Sequence, residues 1–468
     1  MENQSHKGAP YDPGVLAQVF ENLIENQLAP APTRLCIAYS GGLDTRVLLH
    51  SIHRIKDLQS SLNVNILAFH VNHGLSSLAD LWERECQRTC TESGFAFEAI
   101  RVQIPSGPGL SVEEQARVAR YAALRARVQK GDWWITAHHQ DDQVETLLLQ
   151  LLRGAGVRGL SAMPLVQAFG EASLIRPLLQ MPRSALYAYA QQQGLLWIND
   201  PSNEDQRYAR NYVRHSVVPV IAARWPSYGT TLQRSAALAA DAAALAEDLA
   251  EIDFEQCSTS DVGQLHVPSL VALPPHRLRN LLAYWPRRLG LPTPYRTHID
   301  HIIAQMLHAA NDACPLVTWP GVEVRRYTQH LYMQRPLAPA PPADWQVVWD
   351  GLSMLETSTT SVLLVRHALG MGVSLARLQQ GALTVRVRRG GEVMQLLNRR
   401  GHHPLKHLFQ EARIPPWLRQ RLPLVFQGET LVFVPGIGVA EGCAAKAGEP
   451  GVTWEWSSLN ARGGLPEK

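Results

Sequence analysis

Long apolar runs are missing from this chain, and nothing in it reads as a membrane span or a secretory leader. No stretch approaches the roughly 20 apolar residues that a membrane helix needs, and Met1–Pro13 lacks a basic-then-apolar layout. A cytoplasmic protein with no membrane partner is the expectation. Cysteine is scarce. The six residues (Cys36, Cys86, Cys90, Cys257, Cys314, Cys443) include no Cys-x-x-Cys, which argues against a disulfide frame or a zinc site. The Gly-x-x-x-x-Gly-Lys of a Walker loop is absent. So is a strong net charge, 44 Lys and Arg standing against 41 Asp and Glu. Mapped along the chain, charge is more telling: Arg386–Arg421 holds nine Arg or Lys against two Glu, the pattern of a polyanion-binding surface.

What is present is an ordinary globular composition, 46% hydrophobic and 18% charged, in 468 residues, a length that implies two or three domains. The early part alternates strands (Leu35–Tyr39, Val64–His70, Phe95–Val102, Trp133–Ala137) with helices (Leu43–Ile55, Ser77–Ser93, Ser111–Gln129, His138–Leu152). Ser111 and Glu114 form a capping box at the third helix. This alternation predicts βαβ units and a parallel sheet in a first domain, residues 1–225. After Trp225-Pro226 the Ala-rich stretch Thr231–Phe254, with Leu238, Leu245, Leu249 and Ile252 at helical spacing, opens a mainly helical domain, residues 226–336. That domain includes helices Arg277–Leu289 and Thr297–His308 and a hairpin, Val322–Tyr327 to His330–Met333. Pro336–Pro342 reads as a stiff extended linker. Residues 344–468 alternate like β structure around one helix, His403–Ala412, giving a small basic α+β domain.

Ser40-Gly41-Gly42-Leu43-Asp44-Thr45 joins the first strand to the first helix. Two glycines let the backbone curl closely around a ligand, and the amides of a helix start favour an anion. Ser40 and Thr45 add hydroxyls, and Asp44 can hold a cation beside phosphates. On this stretch alone, simple capping of the helix by Ser40 and Asp44 explains it equally well. The fold supplies a second criterion. In open α/β sheets, ligands collect outside the carboxyl ends of the strands. Ser40–Thr45, His70–Gly74 and His138–Glu145 each begin where an apolar strand ends, so they should meet at one edge. Asp141 and Asp142 suit magnesium, and Glu145 shares their helix face. Cys36 should be buried in its strand, with Cys86 and Cys90 on a helix away from the loops. Glu114, Arg117 and Tyr121 share a helix face, and Arg153 and Arg158 sit in a glycine-rich loop. Arg207, Arg210 and Arg214 read as one basic helical stripe, with Val213, Val217 and Val220 on its buried side.

Together, Ser40–Thr45, His70-Val-Asn-His-Gly-Leu75, Glu114-x-Ala-Arg-x-x-Arg-Tyr121, His138-x-x-Asp-Asp-Gln-x-Glu-Thr146, Arg153-Gly-Ala-Gly-x-x-Gly-Leu160, Arg176-Pro-Leu-Leu179 and Asp200-Pro-Ser-Asn203 with Arg210-Asn-x-x-Arg214 resemble the tRNA(Ile)-lysidine synthetase family of the PP-loop superfamily. The C-terminal Arg388-Arg-Gly-Gly391 and Ile414-Pro-Pro416 resemble its longer members. The resemblance implies a Rossmann-like PP-loop domain of the adenine nucleotide alpha hydrolase type, with ATP and Mg2+ as cofactors. It implies tRNA(Ile) with a CAU anticodon and free L-lysine as partners, the oligomeric state staying open, a homodimer included. By the same resemblance Asp44, Asp142 and Arg210 are catalytic, and Asp44 and Asp142 hold the metal. Ser40, Gly41, Gly42, Leu43, Asp44, Thr45, His70 and His73 would bind ATP. Arg117, Arg153, Arg158, Arg207, Arg214, Arg388, Arg389, Arg399, Arg400 and Lys406 would bind tRNA. Two rivals remain: a PP-loop tRNA thiolase, which wants reactive cysteines, and a tRNA-binding protein without catalysis.

Overall fold

The computed structural model describes residues 11–55, 64–104, 112–310, 313–358, 361–397 and 399–458, which fall into two compact units, Met1–Leu245 and Ala246–Lys468. The first is built on strands β1 (Arg34–Ala38), β2 (Asn65–Asn72), β3 (Ala96–Arg101), β4 (Asp132–Ile135), β5 (Val166–Phe169) and β6 (Ala172–Ile175). Their order is β3-β2-β1-β4-β6-β5, parallel except where β5 runs against β6. Strands covered on both faces read as continuous apolar runs, and β4 is buried along its whole length. Its neighbouring tryptophans point to opposite faces, as strand residues must. Trp133 packs on Phe20 of helix α1 (Gly14–Glu25), and Trp134 lies between Phe69 and Phe169.

Helices α2 (Leu43–Arg54), α3 (Ala79–Glu92), α4 (Val112–Arg125) and α5 (Gln140–Leu152) occupy the expected places. The Ser111–Glu114 capping box lies outside the described residues. Three elements carry no early signal: α1, the β5–β6 hairpin, and helix α7 (Arg183–Gln192), which follows the four-residue α6 (Val157–Leu160). The expected basic stripe is broken. Arg207 precedes the short helix α8 (Ala209–Tyr212), lies in the open, and is held by Asp205 at 2.6 Å. A π turn, Val213–Val217, then leads into α9 (Val218–Arg224). The wider turn shifts the angular phase, so Val213 is buried while Val220 faces solvent.

Helix α10 (Tyr228–Cys257) straddles the boundary between the units. Along it Leu238, Leu245 and Ile252 are exposed, whereas Ala236, Ala250, Asp253, Phe254 and Cys257 are buried. In the second unit, helices Pro275–Arg288 and Arg296–Met306 pack on a four-stranded sheet. The expected hairpin (Val322–Tyr327, His330–Gln334) is its centre, flanked by Gln264–His266 and Leu316–Trp319. The proline-rich segment is tied down within this unit, since the Arg421 guanidinium donates to the Ala338 carbonyl. Trp417 packs on Tyr327 and Tyr332, and Arg419 donates to the Tyr327 hydroxyl at 2.9 Å. Beyond it, a five-stranded and a four-stranded antiparallel sheet enclose Phe409 and Trp454 with helix Leu405–Glu411, matching the expected α+β character.

Candidate active site

The sheet order places β1 between β2 and β4, so the carboxyl ends of three neighbouring parallel strands form one edge. From β1 the chain enters the glycine turn. Gly41 adopts φ +80°, and a Cβ there would lie 2.5 Å from Ile198 Cδ1 and 2.7 Å from Cys86 Sγ. Both conformation and space therefore demand glycine. The Gly41 carbonyl accepts from the Ile198 amide at 2.9 Å. Gly42 caps α2 with no side-chain cap bond, which leaves the helix-start amides available to an anion. The Ser40 and Thr45 hydroxyls stand 3.2 Å apart at the rim. Asp44 is not used up in capping, for its buried Oδ1 accepts no hydrogen bond.

Cys86 is not remote from the loop, as its sequence position suggested; it packs directly behind Gly41. Burial, with Cys90 beside it, pushes its thiol up to about 12. Cys36 lies buried in β1 as expected, its thiol likewise pushed up to about 12 by burial. Neither supplies a thiolate near neutral pH, and thiolate is the reactive form.

His139 is the organising residue. It caps α5: its amide donates to Asp142 Oδ2 at 3.0 Å, and the Asp142 amide reaches its Nδ1 at 3.4 Å. Its Nε2 stands 3.4 Å from Asp142 and 3.6 Å from Asp44, while Nδ1 is 3.7 Å from Asp141. Burial alone would lower its affinity for a proton, but Asp142, Asp44 and Asp141 raise the imidazole above its ordinary value. Asp142 is the converse. Burial pushes its carboxyl up, yet His139, Arg210, His138 and the His139 amide outweigh burial and hold it well below the carboxylate range.

Behind Asp142 a closed network forms. Arg210 donates to Asp142 Oδ1 at 2.9 Å and Glu145 Oε2 at 2.7 Å, and Arg214 grips both Glu145 oxygens at 2.6 and 3.0 Å. Glu145 is almost fully buried. A buried carboxylate pair needs this compensation, because a lone buried charge costs several kcal/mol. A cavity of about 210 Å³ opens in front, lined by Ser40, Gly42, Leu43, Asp44 and Thr45 on one side and by Arg183, Asn203, Arg214 and His215 on the other.

Asp44, Asp142, Arg210 and Arg214 thus come together. His70 and His73 do not line this cavity among the described residues: His70 Nδ1 donates to the Tyr39 carbonyl at 3.1 Å, and His73 accepts from Arg120 at 3.4 Å. Arg117, Arg153 and Arg158 are exposed. In the second unit Arg388 lies 3.7 Å from Glu392, Arg389 donates to Gln346, Arg399 pairs with Glu411 at 2.6 Å, and Arg400 and Lys406 are exposed. His139, Arg183 and His215 escape sequence reasoning. The cap position of α5 was a usable signal for His139; Arg183 begins a helix that has none.

The donor set fits a hard divalent cation. No cluster of three or more His, Cys, Asp or Glu that could cage a metal occurs among the described residues. The orphaned Asp44 oxygen and the nearby Asp142 instead match magnesium's habit of using one or two carboxylates plus phosphate oxygens. No helix of the described residues is long and apolar enough to cross a membrane.

Comparison with known proteins agrees with this geometry. A PP-loop domain matches residues 15–221, a TilS substrate binding domain residues 265–332, and a TilS substrate C-terminal domain residues 383–456. The tRNA(Ile)-lysidine synthase of Methylococcus capsulatus is 40% identical over 390 residues, covering 83% of this chain and 88% of that protein. That of Coxiella burnetii is 37% identical over 452 residues, covering 96% and 97%. With likeness of this extent over nearly its whole length, the chain belongs to the tRNA(Ile)-lysidine synthase family.

Proposed function

We propose that this chain ligates L-lysine to C2 of the wobble cytidine of tRNA(Ile) with a CAU anticodon, converting ATP to AMP and pyrophosphate in the cytoplasm. The observation that carries this reading is the meeting of Asp44, from the phosphate loop, with Asp142, from α5, around His139 beside a cavity of phosphate-chain size. The cytidine C2 oxygen attacks the α-phosphorus, its bond to the bridging oxygen breaks, and pyrophosphate leaves into the cradle of Ser40–Thr45. The ε-amine of lysine then attacks C2, the C2–oxygen bond breaks, and AMP departs. Asp44 and Asp142 would hold magnesium, which would supply charge neutralisation to the phosphates.

The chain's own residues account for the rest. Arg210 and Arg214 fix Asp142 and Glu145 and place positive charge beside the adenylated base. An ammonium with an ordinary pKa of about 10.4 must lose a proton before it attacks. Asp142 is a poor acceptor because its neighbours hold it ionised. Asp141, a third exposed and so reachable from solvent, is the acid we assign to take that proton. Residues 1–225 form the catalytic domain, and residues 226–336 and 344–468 grip tRNA, the latter through Arg388, Arg389, Arg399, Arg400 and Lys406.

Incubation with ATP, magnesium, labelled lysine and unmodified tRNA(Ile) tests the reading. Label in the RNA supports it. ATP cleavage without label indicates a thiolase-type transfer, and RNA binding with neither indicates a silent binder; either result overturns it.

A further inference from the structure

Of the three arginines around the cavity and its acidic wall, two are already committed. Arg210 and Arg214 are each clamped by Glu145 and Asp142 through contacts of 2.6–3.4 Å. Arg183 is not. It lines the same cavity as Ser40, Gly42, Asp44 and Thr45, and its side chain is 47% exposed. The nearest acid to its guanidinium is Asp44, with Nε 3.7 Å from Oδ1, beyond hydrogen-bond distance. That Oδ1 is itself the buried oxygen that accepts no hydrogen bond. A half-exposed guanidinium and a buried carboxylate oxygen therefore face each other across the mouth of a phosphate cradle as a loose ion pair, with no hydrogen bond between them.

We infer that Arg183 is a phosphate-binding residue of this site, its guanidinium taking the β- and γ-phosphate oxygens of ATP and then the released pyrophosphate. The inference rests on the proposed ATP-dependent reading. Its physical basis is that a guanidinium presents a planar fork of donors matched to phosphate, whereas a loose exposed ion pair is weak and easily exchanged. When Asp44 turns to a divalent cation, the Arg183 guanidinium exchanges its loose pairing with Asp44 for an anion of higher charge. Its anchorage suits the role: the Arg183 amide starts α7 and donates to Asp141 Oδ2 at 2.8 Å, so the backbone is fixed to the acidic wall while the half-exposed side chain makes only the loose pairing with Asp44. That amide bond survives any side-chain replacement, which keeps the variants informative.

The test uses the full chain and inorganic pyrophosphate with magnesium as the probe, followed by calorimetric titration. Arg183→Gln should weaken pyrophosphate binding about tenfold or more and raise KM for ATP by a similar factor, with affinity for tRNA unchanged. Arg183→Lys, which keeps the charge but not the fork, should recover part of the loss. Arg183→Gln with wild-type pyrophosphate affinity overturns the inference. So does an equal loss in Gln and Lys variants accompanied by a lowered melting temperature, since that marks a structural role. Failure of the unaltered protein to bind pyrophosphate at all would instead strike the ATP-dependent reading beneath it.

Discussion

Asp44 and Asp142, carried on separate helices, approach the same ring nitrogen, Nε2 of His139, to 3.6 and 3.4 Å. The phosphate loop and the acidic helix are registered through one buried imidazole. Partners that orient metal-binding carboxylates typically contribute about 10–100-fold in metal affinity. His139→Gln should therefore weaken Mn2+ binding, read by electron paramagnetic resonance, by about that factor, while tRNA affinity stays put. Unchanged Mn2+ affinity would show that the two acids are positioned without the ring.

The basic C-terminal loop has a comparable organiser. Glu392, its side chain only 4% exposed, accepts from the Arg389 amide at 2.6 Å, the Gly390 amide at 3.0 Å and Arg386 at 3.1 Å. Burial pushes its carboxyl up, but these donors hold it below the usual range. Gly390 and Gly391, at φ +100° and +80°, make the curl possible. Charge-assisted bonds are each worth about 1.5–3 kcal/mol, so Glu392→Gln should loosen the loop and weaken tRNA binding about tenfold. ATP binding should not change. Filter binding at fixed salt measures the first, and undiminished tRNA affinity would remove Glu392 from the account.

Much of the first unit was legible because its signals are local. The run Leu35–Asp44 fixes a buried strand, a turn and a helix start by residue type alone, and β4 announces itself by an apolar run. The rest depends on distance. Nothing near Cys86 in sequence says that its sulfur lies behind Gly41, and nothing in His138-His139 says which ring turns inward. The exposure of the α10 leucines is not legible because helical spacing reports a face and not what covers it. Arg207 falls off the stripe because it stands before α8 begins, and Val220 leaves the buried side because a π turn changes the phase on which spacing arguments rely.

His73 provides a pH test. Burial, then Arg120 and His70, push it down from 6.5 to about 4. Above pH 6.5 it is neutral folded and unfolded, and contributes nothing. As pH falls from 6.5 towards 4, the unfolded chain takes up a proton that the folded one refuses, so stability is lost across that window. His73→Gln should reduce that loss, seen as a shallower fall in urea midpoint between pH 7 and pH 4.5. An equally steep fall would show that His73 titrates normally.

The most direct measurement is made on Asp44→Asn. The exchange keeps size and shape but removes the charge beside the phosphate cradle. Pyrophosphate release from ATP in the presence of tRNA should drop at least about 10²-fold, while the dissociation constant for tRNA stays within about twofold of the unaltered protein. Retained pyrophosphate release, or an equal loss of release and tRNA affinity, would contradict the claim that this rim activates the base with ATP while other parts of the chain hold the RNA.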